Sequence, residues 1–405
     1  MTFVPKPEDK IIPCSSSRKQ YSSFFKLLSC TAQKYRTYLI INLKEKDDSN
    51  GSMEFYNTNV VFNREGEVIA RYRKYNLYLE PDTNKPKKPE LVTFKTDFGE
   101  TFGIFTCFDI IFESPGIELV RKGVKNFIFP TLWIPELPFL TTNQVQQMWA
   151  NGNDAYLMAA GAAQPRYGAG GLGMYLGNKI TLSKIVTPRI DNFYLYENIP
   201  NKTSHIEQKC SAKVSDKTAK EMDKYNLFQE DLSEYFYKKL DLAKPTTINE
   251  TLCQNGLCCD FIIETTNEEV KESLDRYEYF LVVRNGLRTY GNKTYQNALE
   301  ICGLIACKGN SISQCGQRLP DYDRISWPIT FKKISISSKF KNPEKNMQFP
   351  NSLLADFSPI SPACTTWTSE TDDQKSTIRR TFTTKTSITK LLTFAIFGRN
   401  YAMDE

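Results

Sequence analysis

Cys107 is the residue of this 405-residue chain best placed to do covalent chemistry, because it is the odd thiol. The chain holds 11 cysteines, and Cys107 is the only one between Cys30 and Cys210. Five pairs among the others would leave it over, and an unpaired thiol in a disulfide-rich chain is a candidate nucleophile. It closes the run Phe102-Gly103-Ile104-Phe105-Thr106 and is followed by Phe108, Asp109 and more apolar bulk. The usual partner of such a thiol is a histidine, and the chain has one, His205, in a polar loop with Asn201, Lys202 and Ser204. That placement reads as surface, so Cys-His and Ser-His-Asp arrangements drop out, as do His-rich metal sites. A lysine can hold a thiolate electrostatically, and a carboxylate can carry the proton to a leaving amine. Lys74, one strand pairing before Cys107 and among Tyr72, Tyr75 and Tyr78, is the candidate lysine, although position alone does not separate it from the other basic residues.

These residues need elements to hold them. Tyr38–Asn42 has a buried-strand pattern, and Lys44–Ser52 reads as a polar loop. Asn59–Phe62 and Val68–Tyr72 form a hairpin around Arg64-Glu65-Gly66 that delivers Lys74. Leu91–Phe94 and Phe102–Thr106 pair around Asp97–Glu100, placing Cys107 at a strand end. Ser114-Pro115 is expected to open a helix as N-cap and first residue, stopped at Gly123. Phe127–Pro130 is a strand, Asn143–Ala150 a helix, Tyr156–Ala163 a small-residue strand and Gly168–Gly177 a glycine-rich loop. Residues 1–30 read as irregular, with a short amphipathic stretch at Tyr21–Leu28. Alternating strands and helices predict an α/β class. After about Lys213 the composition shifts. We expect domains at 1–212 and 243–405, with 213–242 a polar linker and the last domain mostly β.

The clusters Cys253, Cys258, Cys259 and Cys302, Cys307, Cys315 have spacings that suit disulfides better than zinc. Asn50, Asn201, Asn249 and Asn292 lie in N-x-S/T triplets, which adds to a secretory-pathway reading. The start, Met1–Pro5, has no apolar signal region. No run approaches the roughly 18 apolar residues of a membrane span. A net charge of +6 with scattered Lys and Arg argues against nucleic-acid binding. No cofactor motif is present, and the glycine-rich loop lacks a phosphate-loop lysine.

Tyr72-Arg73-Lys74-Tyr75-Asn76-Leu77-Tyr78 together with Phe102–Ile110 resembles the nitrilase (carbon–nitrogen hydrolase) superfamily. Phe129-Pro130-Thr131-Leu132-Trp133 extends the likeness. Leu257-Cys258-Cys259-Asp260, Ile301–Cys307 and Phe397-Gly398-Arg399-Asn400-Tyr401 resemble its vanin and biotinidase branch. The resemblance implies an α-β-β-α sandwich followed by a disulfide-bearing β domain. It also implies a secreted amidase acting on a small linear amide, pantetheine first and biotinyl amides second. In that scheme Cys107 attacks the carbonyl and forms a thioester, and Lys74 and the Phe108 N–H hold the oxyanion. Trp133 is open to two readings, pocket wall or core, and Glu80 to two, second acid or loop residue.

The sequence departs from the family pattern at the acid–base glutamate. Pro7-Glu8-Asp9 has the right letters but too few residues before it for the buried strand that would position it. Val4–Glu8 with Ile12-Pro13-Cys14 resembles a later family segment. The expectation is that signal peptide, first strand, first helix and base all precede Met1. Residues 1–405 alone would then turn over slowly or not at all. The rival classes are a secreted binding protein retaining the fold and a redox-responsive thiol at Cys107.

Overall fold

The computed structural model describes residues 1–177, 180–185, 192–199, 209–225, 227–268, 275–290, 295–341, 343–372, 374 and 376–404. His205, Asn201 and Asn292 lie outside them. One compact unit is formed by Met1–Thr131 with Tyr156–Ala160, the other by Leu132–Ala155 with Gly161–Glu405. The chain thus crosses between the units at Leu132, Tyr156 and Gly161.

In the first unit, β1 (Thr2–Phe3), β2 (Leu39–Asp47), β3 (Glu54–Phe62) and β4 (Val68–Arg73) form one sheet in that order. A helix, α1 (Ser23–Tyr35), packs on it, capped by Ser22, whose hydroxyl accepts from the Phe25 N–H. Residues 1–30 are therefore more regular than expected. Alternation along β3 splits its faces: Val60 and Phe62 meet Phe25 and Ala32 of α1. Val61 faces the other way, toward Ala70, Tyr72, Phe94 and Ile104. Phe94 and Ile104 belong to β5 (Thr93–Lys95) and β6 (Thr101–Ile104), an antiparallel pair extended by β7 (Asn126–Thr131) parallel to β6. On the far side of that sheet, a Cβ at Gly103 would stand 2.7 Å from the Phe127 ring and 3.2 Å from Leu119 of the short helix α2 (Glu118–Arg121). Helix, sheet, sheet, helix is the order of layers, as the family resemblance implies.

Two expectations fail locally here. Lys44–Ser52 is not a loop throughout, since β2 runs on to Asp47. Its charges are partnered across the sheet: Glu45 is buried and ion-paired with Arg71 at 3.1 Å and Arg73 at 2.6 Å, and Asp47 with Arg73 at 2.5 Å. Ser114 is not the N-cap of a regular helix. Its backbone is extended (φ −102, ψ 135) inside a wide turn, Glu113–Ile117, from which α2 continues. Gly123, at φ +90, follows the end of α2 as expected.

The second unit begins with Glu136–Leu137 and helix α3 (Thr142–Gly152), where a helix was expected. Leu172–Leu176 is a strand paired with Ile180–Ile185, so the expected loop Gly168–Gly177 is strand over its second half. Asp216–Met222 is helical and buries Ala219 and Met222 in the main core of the unit. That core lies between two five-stranded sheets. One has the order Phe236–Lys239, Glu278–Tyr290, Tyr295–Cys307, Leu391–Asn400, Asn346–Leu354. The other has Thr247–Gln254, Leu257–Asn267, Ile329–Lys341, Thr377–Thr384, Thr365–Thr371. The C-terminal half is thus mostly β, as expected.

The cysteine arithmetic holds. Five disulfides join Cys14–Cys30, Cys210–Cys364, Cys253–Cys258, Cys259–Cys302 and Cys307–Cys315, and Cys107 stands outside them. Cys259–Cys302 ties the two sheets through the core, both sulfurs on fully buried residues. Its 43-residue separation gives it about 4 kcal/mol by the chain-entropy relation. No helix among the described residues is long and apolar enough to cross a membrane.

Candidate active site

Strand β4 alternates buried and half-buried positions from Val68 onward, and Tyr72 and Lys74 continue the inward set. The Lys74 N–H donates to the Asn57 carbonyl at 2.8 Å, which carries the β3–β4 ladder one residue past its end. Lys74 is thereby anchored at its backbone while its ammonium, on a residue only 2% exposed, pairs with Glu80. Glu80 also accepts from the Asn57 amide at 2.8 Å. Asn42 donates to the side-chain carbonyls of Asn57 (2.7 Å) and Asn59 (2.9 Å), which turns their amide nitrogens away from β2. Asn57 then donates to Glu80, and Asn59 to the Thr106 hydroxyl at 2.8 Å.

Cys107 follows β6 and opens a 3-10 turn, Cys107–Ile111. Its φ of +50 places it in the left-handed region, which non-glycine residues rarely occupy. Such a backbone costs roughly 1–3 kcal/mol and persists only where its surroundings over-determine it. Asp109 supplies that control. Its carboxylate accepts from the Thr106 N–H at 2.9 Å, the Tyr72 hydroxyl at 2.7 Å and both the backbone and side-chain N–H of Asn76, at 3.0 and 2.9 Å. One buried acid thus ties the turn bearing Cys107 to the strand end bearing Lys74. Phe108 is buried, with its ring 4.7 Å from Tyr78 and 5.0 Å from Phe112.

The electrostatics follow from burial and these pairings. Burial pushes the Lys74 ammonium down, but the charges of Cys107, Glu80 and Asp109 outweigh it and hold Lys74 above its ordinary value. Burial pushes Glu80 up, and Lys74 with the Asn57 and Tyr78 donors overrides it, leaving Glu80 below the usual glutamate range. Full burial dominates at Asp109 and raises it despite Lys74 and its donors. A lowered glutamate stabilises the fold above its unfolded-state pKa, and that contribution fades as pH falls. A raised lysine stabilises below its own, and is lost only at alkaline pH. The pair is therefore intact through neutrality. Glu80→Gln should lower Tm at neutral pH, with the gap to the parent closing only as pH falls below the ordinary glutamate value of about 4.3 and through the lowered value of the folded state. A gap constant with pH, measured by thermal melts, would rule out the charged pair.

The structure brings Lys74, Glu80, Cys107 and Phe108 into the first unit with this geometry. Trp133 belongs to the second unit, where it is buried and its indole N–H donates to the Leu140 carbonyl at 2.8 Å. Glu8 is exposed on a 3-10 turn, Pro7–Asp9. Asn50 is exposed in the β2–β3 connection and Asn249 on the strand Thr247–Gln254. Sequence reasoning missed Asp109 and the asparagine relay. The available signal was Asn57-Thr58-Asn59 inside an otherwise apolar strand, since buried amides must have partners.

Residues 3–178 match the carbon-nitrogen hydrolase family model, and residues 225–404 match the Vanin C-terminal domain model. Vanin-like protein 1 of Drosophila melanogaster is 35% identical over 99% of this chain and 76% of its own length. The Pantetheinase of Homo sapiens is 30% identical over 99% of this chain and 75% of its own length. A solved structure of Saccharomyces cerevisiae Nit3, of branch 10 of the nitrilase superfamily, is 25% identical over 39% of this chain and 59% of that one. Its TM-score of 0.33 is too low to carry weight here.

Proposed function

The chain belongs to the vanin branch of the carbon–nitrogen hydrolase family, and from that premise we propose that it cleaves pantetheine to pantothenate and cysteamine through a thioester on Cys107. The observation that supports this best is the left-handed turn of Cys107, tied by the buried Asp109 to the strand end that carries the buried Lys74. The Cys107 thiolate attacks the amide carbonyl, and the C–N bond breaks as the leaving amine takes a proton from water. Water then hydrolyses the thioester. Lys74 Nζ and the Phe108 N–H are assigned to the oxyanion that forms at each step. Aimed donors of this kind are each worth about 10²–10³ in rate. Glu80 is a positioning residue: kept charged, it fixes Lys74 and is a weak proton acceptor. The pantetheine assignment draws on the name of the Homo sapiens relative. The disulfides and the exposed Asn50 and Asn249 support a secreted glycoprotein.

The test is to incubate purified residues 1–405 with pantetheine and, separately, with a biotinyl amide, following cysteamine release and the mass of the Cys107 peptide. We expect a pantothenoyl adduct on Cys107. Adduct without turnover would locate the deficit in the proton-transferring carboxylate. No adduct from pantetheine overturns the pantetheine reading, and an adduct from the biotinyl amide instead would replace it with a biotinidase-like one. No adduct from either, on folded protein, favours the binding-protein reading.

A further inference from the structure

We propose that the Cys253–Cys258 disulfide is a thiol-exchange site, at which a small thiolate forms a mixed disulfide with the folded protein. Among the five disulfides it is the one with both residues exposed. Cys14 and Cys30 are half-buried, Cys210 is exposed but its partner Cys364 is fully buried, and Cys259, Cys302, Cys307 and Cys315 are fully buried. Exchange requires a thiolate to reach a sulfur, so access ranks these bonds.

The second observation is that the fold around this bond is held without it. Cys253 and Cys258 are direct cross-strand partners two residues from the tip of the hairpin Thr247–Gln254/Leu257–Asn267. The tip itself turns through Asn255 (φ +47) and Gly256 (φ +83). It is laced to neighbouring segments by amides. Gln254 donates to the Glu234 carbonyl at 2.7 Å and accepts from the Asn285 N–H at 2.9 Å. Asn255 and Asn285 exchange side-chain-to-carbonyl bonds, both at 2.8 Å. A disulfide spanning five residues of an already paired hairpin closes a small loop, about 2 kcal/mol by the chain-entropy relation and half of what Cys259–Cys302 contributes. Opening it leaves the ladder and the lacing in place.

The third is confinement. Cys258 and Cys259 are adjacent on one strand, so their side chains point to opposite faces. A thiolate released at Cys258 is outward, while Cys259 is sealed to Cys302 in the core. The exchange therefore stops at the surface bond. In the step, the incoming sulfur bonds to one of the two sulfurs and the disulfide breaks. The electron pair leaves on the other sulfur, which takes a proton from water. A second thiolate completes reduction, releasing a small-molecule disulfide. The reductant is any low-mass thiol, and the inference stands whatever amide the enzyme cleaves.

To test it, Cys107 is first blocked on the folded full chain, which is then exposed to cysteamine or to glutathione near pH 8, alkylated and peptide-mapped. Mixed disulfide or alkylation at Cys253 and Cys258 should appear about tenfold faster than at any other pair, with the protein still folded and Tm lowered by only a few degrees. Faster reaction with cysteamine than with glutathione would make size the filter, and equal rates would make it open to both. First labelling at Cys14–Cys30 or Cys210–Cys364 overturns the proposal, as does resistance of Cys253–Cys258 until the protein unfolds. The Cys253→Ser/Cys258→Ser double variant should fold and lose the fast phase. A double variant that fails to fold would show that the hairpin needs the bond, and would also overturn it.

Discussion

Cys107→Ser is expected to abolish both the acyl adduct and amide cleavage, by about 10³-fold or more. Serine keeps the size and places a hydroxyl on the same left-handed backbone, so the Asp109 contacts that hold the turn remain. What it removes is acidity. A neighbouring ammonium can hold a thiolate electrostatically, whereas a hydroxyl needs a strong base beside it. Among the described residues of the site, Glu80 is engaged by Lys74 and Asp109 accepts from four donors, so neither offers that base. Thermal stability should match the parent. Mass analysis of the Cys107 peptide and cysteamine release are the readouts, and a serine variant retaining a tenth of the parent rate would remove Cys107 from the chemistry.

Lys74→Met should act on stability and rate together. Methionine matches the apolar stem of lysine but leaves the half-buried Glu80 charge without its partner. Breaking a buried ion pair by removing one member costs about 3–5 kcal/mol, and the 22% exposure of the Glu80 side chain puts this case near the lower end. The rate should fall about 10²–10³-fold through loss of an oxyanion donor. The two effects separate in the double variant Lys74→Met/Glu80→Gln. Neutralising both partners should restore most of the stability, while the rate stays low. Recovery of rate along with stability would make Lys74 a structural residue only. Denaturation curves and rates on the four proteins of the cycle decide it.

Much of this site can be read from the sequence, but unevenly. The cysteine count identifies Cys107 because disulfides consume thiols in pairs, and the structure keeps that parity. The hairpin before Lys74 is readable because strand alternation and a glycine turn are local signals. Lys74 itself is not. One lysine among many is marked only by the family motif, since its burial depends on Glu80 and Asp109, residues brought close by the fold. Lys44–Asp47 reads as loop for the same reason. Glu45 and Asp47 find their arginines 26 to 28 residues away in β4, and local polarity cannot report such partners. Asn57 and Asn59 weaken a strand by propensity, yet they orient an acid and a capping hydroxyl.

The turn between β3 and β4 carries a further constraint. Asn63 accepts from the Glu65 and Glu67 N–H groups, Ser29 of α1 donates to the Gly66 carbonyl at 2.6 Å, and a Cβ at Gly66 would lie 2.5 Å from the Ser29 carbonyl oxygen. The number of residues from Phe62 to Val68 is thus fixed by a clamp on the helix. Because side chains alternate along β4, one residue gained or lost there would turn Tyr72 and Lys74 outward together. Hairpin tips usually tolerate insertions and deletions. In this protein such a change would leave every residue of the candidate site in place and still turn the lysine away from the cysteine, so the length of this loop is as much a part of that site as the residues that bear charge.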